Sequence, residues 1–201
     1  MSLEALGALR EPLRRAVYEF VVARAEPVGR NEVADGVGIG RTLAAFHLDK
    51  LAEAGLLDTS YAKRSGGPGA GRPAKLYHRS DAEHAVSLPP RDYRLLATVL
   101  AAAVERAGAE PALYAAAREQ GAELAGGDLM PRLTELGYEP YEDAGHTIRL
   151  RNCPFHALAQ SHPGLVCGLN LALLEGLGAD ARLDPGPAGC CVALTSKNKS
   201  D

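Results

Sequence analysis

Arg30–Leu57, RNEVADGVGIGRTLAAFHLDKLAEAGLL, decides how the chain is read. Its spacing predicts two helices joined by a tight turn. Asn31 to Asp35 form a short first helix. Gly36-Val37-Gly38-Ile39-Gly40 supplies the turn, because glycine takes positive φ at little steric cost. Arg41 opens a longer helix that stops at Gly55, a residue suited to the position just past a helix end. Within it Ala44, His47, Leu48 and Leu51 recur at i, i+3, i+4 and i+7 and share a buried face. Arg41, Thr42, Ala45, Phe46, Asp49 and Lys50 are left on the outer face. A basic start, small residues and one aromatic suit that face to a DNA major groove. The same geometry also packs inside proteins that never touch DNA, so the flanking sequence has to decide.

Leu56 to Ala62 (LLDTSYA) is rich in strand formers, and Leu76 to Arg79 (LYHR) reads as its partner strand. Between them runs KRSGGPGAGRPAK, glycine-rich and carrying Lys63, Arg64, Arg72 and Lys75. No acidic residue occurs from Thr59 to Ser80. The expected hairpin is thus a wing with a positive tip, which phosphates reward through counterion release. Gly71-Arg72-Pro73 is narrow and extended enough to enter a minor groove. The alternative for the wing alone is a solvated hairpin loop.

The charge distribution points the same way. The chain has 201 residues, 46% of them hydrophobic, enough for one large or two small domains. Residues 1–80 hold 12 Lys+Arg against 9 Asp+Glu, and residues 81–201 hold 10 against 16. A positive head on a negative remainder fits a DNA-binding domain with a regulatory body. No stretch approaches a transmembrane span and no secretory signal opens the chain, so the expected location is cytoplasmic, with no membrane partner.

Residues 1–11 read as a loose lead-in. From Pro12 to Ala25, Leu13, Val17, Phe20 and Val21 recur at helical spacing, and Val28 adds a short strand to the wing sheet. The expected organisation is a winged helix-turn-helix domain over 1–80, a linker over 81–91 and a helical dimerisation region over 92–137. An α+β cysteine-bearing sensor domain (138–195) and a disordered tail (196–201) follow. Asp92 to Ala107 carries a wide apolar stripe, Leu95, Leu96, Val99, Leu100, Ala103 and Val104, too large to leave in water and suited to pairing with its copy in a homodimer. Two further helices follow, then strands at Tyr138–Asp143 and Thr147–Asn152, a helical stretch broken at Pro163, and closing strands at 181–183 and 189–195. The fold class is α+β, with a ββαββ unit at the C-terminal end.

All four cysteines, Cys153, Cys167, Cys190 and Cys191, lie in that last unit. One straight helix over 153–167 would hold its two Cys about 21 Å apart at 1.5 Å per residue. The break at Pro163 lets the chain fold back. Neighbours on a strand face opposite sides, so Cys190 and Cys191 should not both reach one single-ion site unless the strand is irregular there. The residues alone leave several readings open. The thiols can be small buried hydrophobes. They can be ligands of Zn2+ together with His156 or His162, or a Cys153/Cys167 disulfide switch. His162 can instead cap the helix that Pro163 opens. His47 is expected to be structural, and His78, His84 and His146 to be solvated.

GVGIGRTLAAFHLDKLAEAGLL followed by GRPAKLY, with CPFHALAQSHPGLVCGLN and GCCV near the end, resembles the ArsR-type winged helix-turn-helix transcriptional regulators. The similarity is to their SufR-like iron–sulfur regulator branch, and it spans most of the chain. It implies a bacterial, homodimeric, DNA-binding regulator that acts as a repressor on a double-stranded operator. It also implies an iron–sulfur cluster held by the Cys thiolates. The arsenic-binding thiols at the start of the ArsR recognition helix have no counterpart, since the first domain contains no Cys. A winged-helix regulator of a small organic ligand, with inert or zinc-bound cysteines, is the alternative. The chain carries no CxxC, nucleophile elbow, phosphate loop or metalloprotease helix, so an enzyme is not expected.

Overall fold

Small residues, not large ones, dock the first helix. In α1 (Ser2–Ala8), Ala5 is buried at 1% exposure, while Leu3 and Leu6 point outward at 66% and 48%. The expected loose lead-in is therefore a packed helix, whose alanines let it lie close against the core. This is a computed structural model, and it describes residues 2–62, 73–186 and 189–195. The chain divides into two compact units, Met1–Arg91 and Asp92–Asp201. It is mixed α+β, with two small antiparallel sheets. Among the described residues no helix is long and apolar enough to cross a membrane.

In the first unit the Glu11 carboxylate accepts hydrogen bonds from the backbone N–H of Leu13 and Arg14, fixing the start of α2 (Pro12–Val22). β1 (Val28–Gly29) leads into α3 (Arg30–Val37), and α4 (Arg41–Glu53) follows. Gly55, at φ +73, stands just past α4 as its sequence position predicts. β2 (Leu57–Tyr61) and β3 (Lys75–Arg79) pair antiparallel with Thr59 opposite Tyr77, and β1 adds to the other edge of β3. The core is Val17, Val21, Val33, Leu48, Leu51 and their neighbours. Residues 80–92 have no helix or strand and belong, to Arg91, with this unit.

The second unit opens with α5 (Tyr93–Ala107), whose first turn is capped by the Asp92 carboxylate accepting from Leu95 N–H at 2.7 Å. α6 (Glu110–Glu123) and α7 (Leu129–Glu135) follow. The sheet runs β4-β5-β7-β6, from β4 (Pro140–Glu142), β5 (Thr147–Leu150), β6 (Ala181–Leu183) and β7 (Val192–Thr195). Between β5 and β6 lie α8 (His156–Ala159) and α9 (Pro163–Gly176), so the helical stretch does break at Pro163. α6 and α9 touch backbone to backbone. A Cβ on Gly121 would stand 2.2 Å from the Leu173 carbonyl oxygen, and one on Gly176 would stand 2.2 Å from that of Arg118. The helical region 92–137 and the sheet-bearing region 138–195 lie within one compact unit. The expected tail, 196–201, lies outside the described residues.

One boundary moves for a clear reason. The last strand starts at Val192, not Gly189. Gly189 sits at φ +90, where a Cβ would meet the Leu150 carbonyl oxygen at 2.6 Å, and Cys190 N–H donates to that same oxygen at 2.9 Å. The backbone there is pinned against β5 in an irregular turn before the strand begins.

The α6–α9 contact gives a direct check. Gly121→Val should destabilise the protein by about 3 kcal/mol or more in urea unfolding, because the clash is with backbone that cannot rotate away. Gly164→Ala, which meets nothing within 4 Å, should be neutral or mildly stabilising. Equal stability of the two variants would show that the helices do not meet through Gly121.

Candidate functional site

Two regions gather the residues singled out in the sequence. The first is the α3–α4 pair with its hairpin. Only one glycine of the turn needs the left-handed region. Gly38, at φ +72, ends α3, and Ile39 N–H donates to Ala34 O at 2.9 Å. Gly36 lies inside the helix, and a Cβ there would stand 2.0 Å from the Phe20 ring. Its smallness therefore serves packing against α2. Gly40 takes the N-cap position of α4 with no side chain to offer.

Ala44, His47, Leu48 and Leu51 are all buried, as their spacing predicts. His47 is held on the inner side: Arg14 Nε donates to its Nδ1 at 3.4 Å, and Glu11 lies 3.6 Å away. Arg41, Thr42, Phe46 and Lys50 are exposed, Phe46 at 50%, and Ala45 is half-buried. Lys50 Nζ lies 2.7 Å from Glu53 on the same helix. Lys75 is not free to act alone. Its Nζ donates to Asp49 Oδ1 at 2.7 Å, and Tyr77 OH donates to the same oxygen at 2.8 Å. The Lys75 hydrogen bond holds the Asp49 carboxyl below its ordinary range, and Lys75 is raised in return. The hairpin is thereby tied to α4 at the loop end of its ladder, where Lys75 faces Tyr61. Lys63, Arg64 and Arg72 lie outside the described residues.

The second region is the cysteine cluster. Cys153 follows β5, Cys167 sits in the first half of α9, and Cys190 and Cys191 occupy the irregular turn before β7. All four are free thiols. The Cys153 and Cys190 thiols are close enough to perturb each other, as are those of Cys167 and Cys191, and of Cys190 and Cys191. Beside the Cys153/Cys167 pair, one of the readings the residues leave open, the structure sets Cys153 near Cys190 and Cys167 near Cys191. The rule that strand neighbours face opposite sides does not apply to Cys190 and Cys191, because they precede the strand.

The electrostatics are asymmetric. The neighbouring Cys153 thiol, above all, lowers Cys190 below the ordinary thiol range. Backbone N–H of Val192 and the Asn170 amide add to it against the opposing effect of burial. Cys153 is raised by the same contact and by burial. Burial, then the Cys167 contact, push Cys191 up to about 12. Cys190 is therefore the more acidic thiol of the pair and Cys153 the less acidic.

Two residues that no motif or spacing singles out complete the region. Asn170 on α9 is fully buried, and its Nδ2 donates to Cys190 Sγ at 3.1 Å. Tyr138, also buried, donates its hydroxyl to Asn170 Oδ1. Burial, then the charge of Cys190, raises the Tyr138 phenol and keeps it protonated.

The two candidate histidine ligands are engaged elsewhere. His156 is exposed, with Nε2 3.2 Å from the Gln160 amide. His162 places Nδ1 2.8 Å from Glu105 Oε2 on α5. It stands at the N-cap of α9 but makes no capping hydrogen bond. His84, expected to be solvated, lies 3.0 Å from Gly55 O through Nε2. Among the described residues, no three His, Cys, Asp or Glu side chains converge on a point that a single metal ion would occupy. In donor chemistry, four neighbouring thiols suit a thiophilic centre.

A cleft of 580 Å³ also lies in this unit, lined by Asp128, Met130, Arg132, Ile148, Leu177 and Asp180 among others. Its size is that of a small-molecule site. Comparison with protein-family models, with curated proteins and with solved structures finds no match to the chain.

Mild oxidation of the reduced, metal-free protein by glutathione disulfide should join Cys153 to Cys190 and Cys167 to Cys191. Peptide mass spectrometry without reduction reads the linkages. A dominant Cys153–Cys167 bridge would contradict the pairing.

Proposed function

We propose that the protein is a DNA-binding transcriptional regulator of the winged helix-turn-helix class, a repressor acting as a homodimer on a double-stranded operator. α4 is the recognition helix and the β2–β3 hairpin the wing. The observation that carries this reading is the outer face of α4. Arg41, Thr42, Phe46 and Lys50 are exposed on a helix whose opposite face is core, beside a hairpin whose connecting sequence holds Lys63, Arg64 and Arg72 and no acid. Lys and Arg there supply the salt-dependent attraction to phosphates, and the helix supplies side chains to base edges.

For the second unit the proposal is an iron–sulfur cluster held by Cys153, Cys167, Cys190 and Cys191. When bound, such a group supplies redox chemistry and sensitivity to oxidants. The chain's own residues bury Cys153 and Cys190, lower the Cys190 thiol and hold its sulfur by an amide. Zn2+ on the same thiols is the alternative cofactor. The proposed site in the cell is the cytoplasm. The cleft beside α7 supports a second reading, a regulator that binds a small organic ligand. A thermal shift with metabolites but not with chelators separates the two.

Dimer formation is assigned to α5. Leu95, Leu96, Val99 and Leu100 are each more than half exposed there, an apolar stripe that pairing with its copy would cover. Leu96→Lys combined with Leu100→Lys should give a folded monomer by analytical ultracentrifugation. A dimer unchanged by both substitutions rules α5 out.

The decisive experiment uses the full chain purified without oxygen. Its iron, sulfide and zinc contents are measured first, and duplex sites are then selected from a random-sequence pool. Arg41→Ala and Lys50→Ala should each weaken binding to the selected site by about tenfold, within the ~1–3 kcal/mol expected of such contacts. Cys153→Ser should lose the iron while keeping the circular dichroism of the wild type. A chain that binds no duplex at low salt refutes the DNA reading, and an iron-free chain refutes the cluster.

A further inference from the structure

Asn170 is a fully buried polar side chain in a helix whose other buried residues are Leu165, Val166, Ala172 and Leu174. A buried amide without partners costs about 1–3 kcal/mol. Here it is satisfied at both ends, by the Tyr138 hydroxyl at Oδ1 and by the Cys190 sulfur at Nδ2, 3.1 Å away. The arrangement has a direction. The Tyr138 hydrogen needs an acceptor in a pocket where the ring is 1% exposed, and Oδ1 supplies it. Turning the amide around would leave that hydrogen without an acceptor and aim an oxygen at a sulfur that itself accepts hydrogen bonds. Tyr138 thus fixes which end of Asn170 meets the thiol. Tyr138 precedes β4, Asn170 lies on α9 and Cys190 precedes β7, so three separate elements converge to make this contact.

We propose that Asn170, clamped by Tyr138, is a positioning residue for the Cys190 sulfur: a permanently aimed N–H donor that stabilises its electron-rich form and sets the redox poise of the thiol cluster. A hydrogen bond to a sulfur stabilises the reduced state relative to the oxidised one. It does so whether that state is a dithiol facing its disulfide or a reduced centre held by the thiolates. The inference deepens the cysteine-centre reading, but its test uses metal-free protein and stands apart from whether a cluster binds.

The test is made on the full chain carrying Cys167→Ser and Cys191→Ser, so that Cys153 and Cys190 are the sole pair. The reduced protein is equilibrated without oxygen against mixtures of glutathione and glutathione disulfide. Cys153 and Cys190 give up two protons and two electrons as their sulfurs bond. Glutathione disulfide takes them up, its S–S bond breaking to give two glutathione thiols. The oxidised fraction is read by mass spectrometry after acid quenching. Asn170→Leu should shift the equilibrium constant about tenfold toward the disulfide, a fall in potential of about 30 mV. Tyr138→Phe, which removes one oxygen and leaves the amide in place, should shift it in the same direction by a smaller factor. A residue that merely filled space would change unfolding stability and leave this constant alone. Constants within twofold of the parent for both variants overturn the proposal, and so does a parent chain that forms no Cys153–Cys190 disulfide. Should Asn170→Leu fail to fold, Tyr138→Phe decides by itself. Failure of the native chain to bind iron would remove the cluster reading and leave this result standing.

Discussion

The second unit depends on two helices meeting where neither has a side chain. At Gly121 and Gly176 the backbones of α6 and α9 come so close that a single methyl on either would strike a carbonyl oxygen. This contact sets how near α9 lies to the rest of the unit. α9 in turn carries Cys167 and Asn170, while the ends of β5 and the approach to β7 carry the other thiols. A second close approach, Gly189 against the Leu150 carbonyl, fixes the turn that presents Cys190 and Cys191. The thiols meet because glycines allow the backbones behind them to meet.

The core is otherwise almost purely apolar, and its exceptions are informative. Among the described residues, His47 and Asn170 are buried polar side chains, beside the hydroxyl of buried Tyr138. Each is answered by groups from other elements, His47 by Arg14 and Glu11, Asn170 by Tyr138 and Cys190. Such contacts register one element against another more tightly than apolar packing does, because a hydrogen bond has direction. In the first unit that register holds α4 against α2, and in the second it holds a sulfur in place.

Much of this was legible from residue spacing, for physical reasons that also explain the failures. Ala44, His47, Leu48 and Leu51 announced the inner face of α4 because one long helix repeats a pattern several times. The hairpin announced itself through strand formers on either side of a glycine-rich stretch. The helix at the start did not, because its docking residues are alanines, which carry little periodic signal, while its leucines face outward. The start of the last strand was misplaced by three residues because the run after Gly189 is apolar whether or not it pairs. What pulls it from the ladder is the backbone of Leu150, 39 residues earlier in the chain. Pairing among the cysteines, and the parts of Asn170 and Tyr138, depend on elements distant in sequence. A lone Asn in an apolar helix looks like a surface residue until the fold places a sulfur beside it.

The tie between Asp49, Lys75 and Tyr77 bears on how the α4 face meets any polyanion. A lysine in open solvent and a phosphate strand both keep company with mobile salt ions, and bringing the two together sets the strand's ions free. Lys75 already has a resident anion, the Asp49 carboxylate 2.7 Å away. An arriving phosphate must share or displace that carboxylate, which stays attached to the chain and cannot diffuse off. The loop end of the β2–β3 ladder thus carries its own built-in counter-ion. Its attraction for a loosely held polyanion is muted, and a phosphate that arrives in the one geometry able to replace the carboxylate is favoured over the rest.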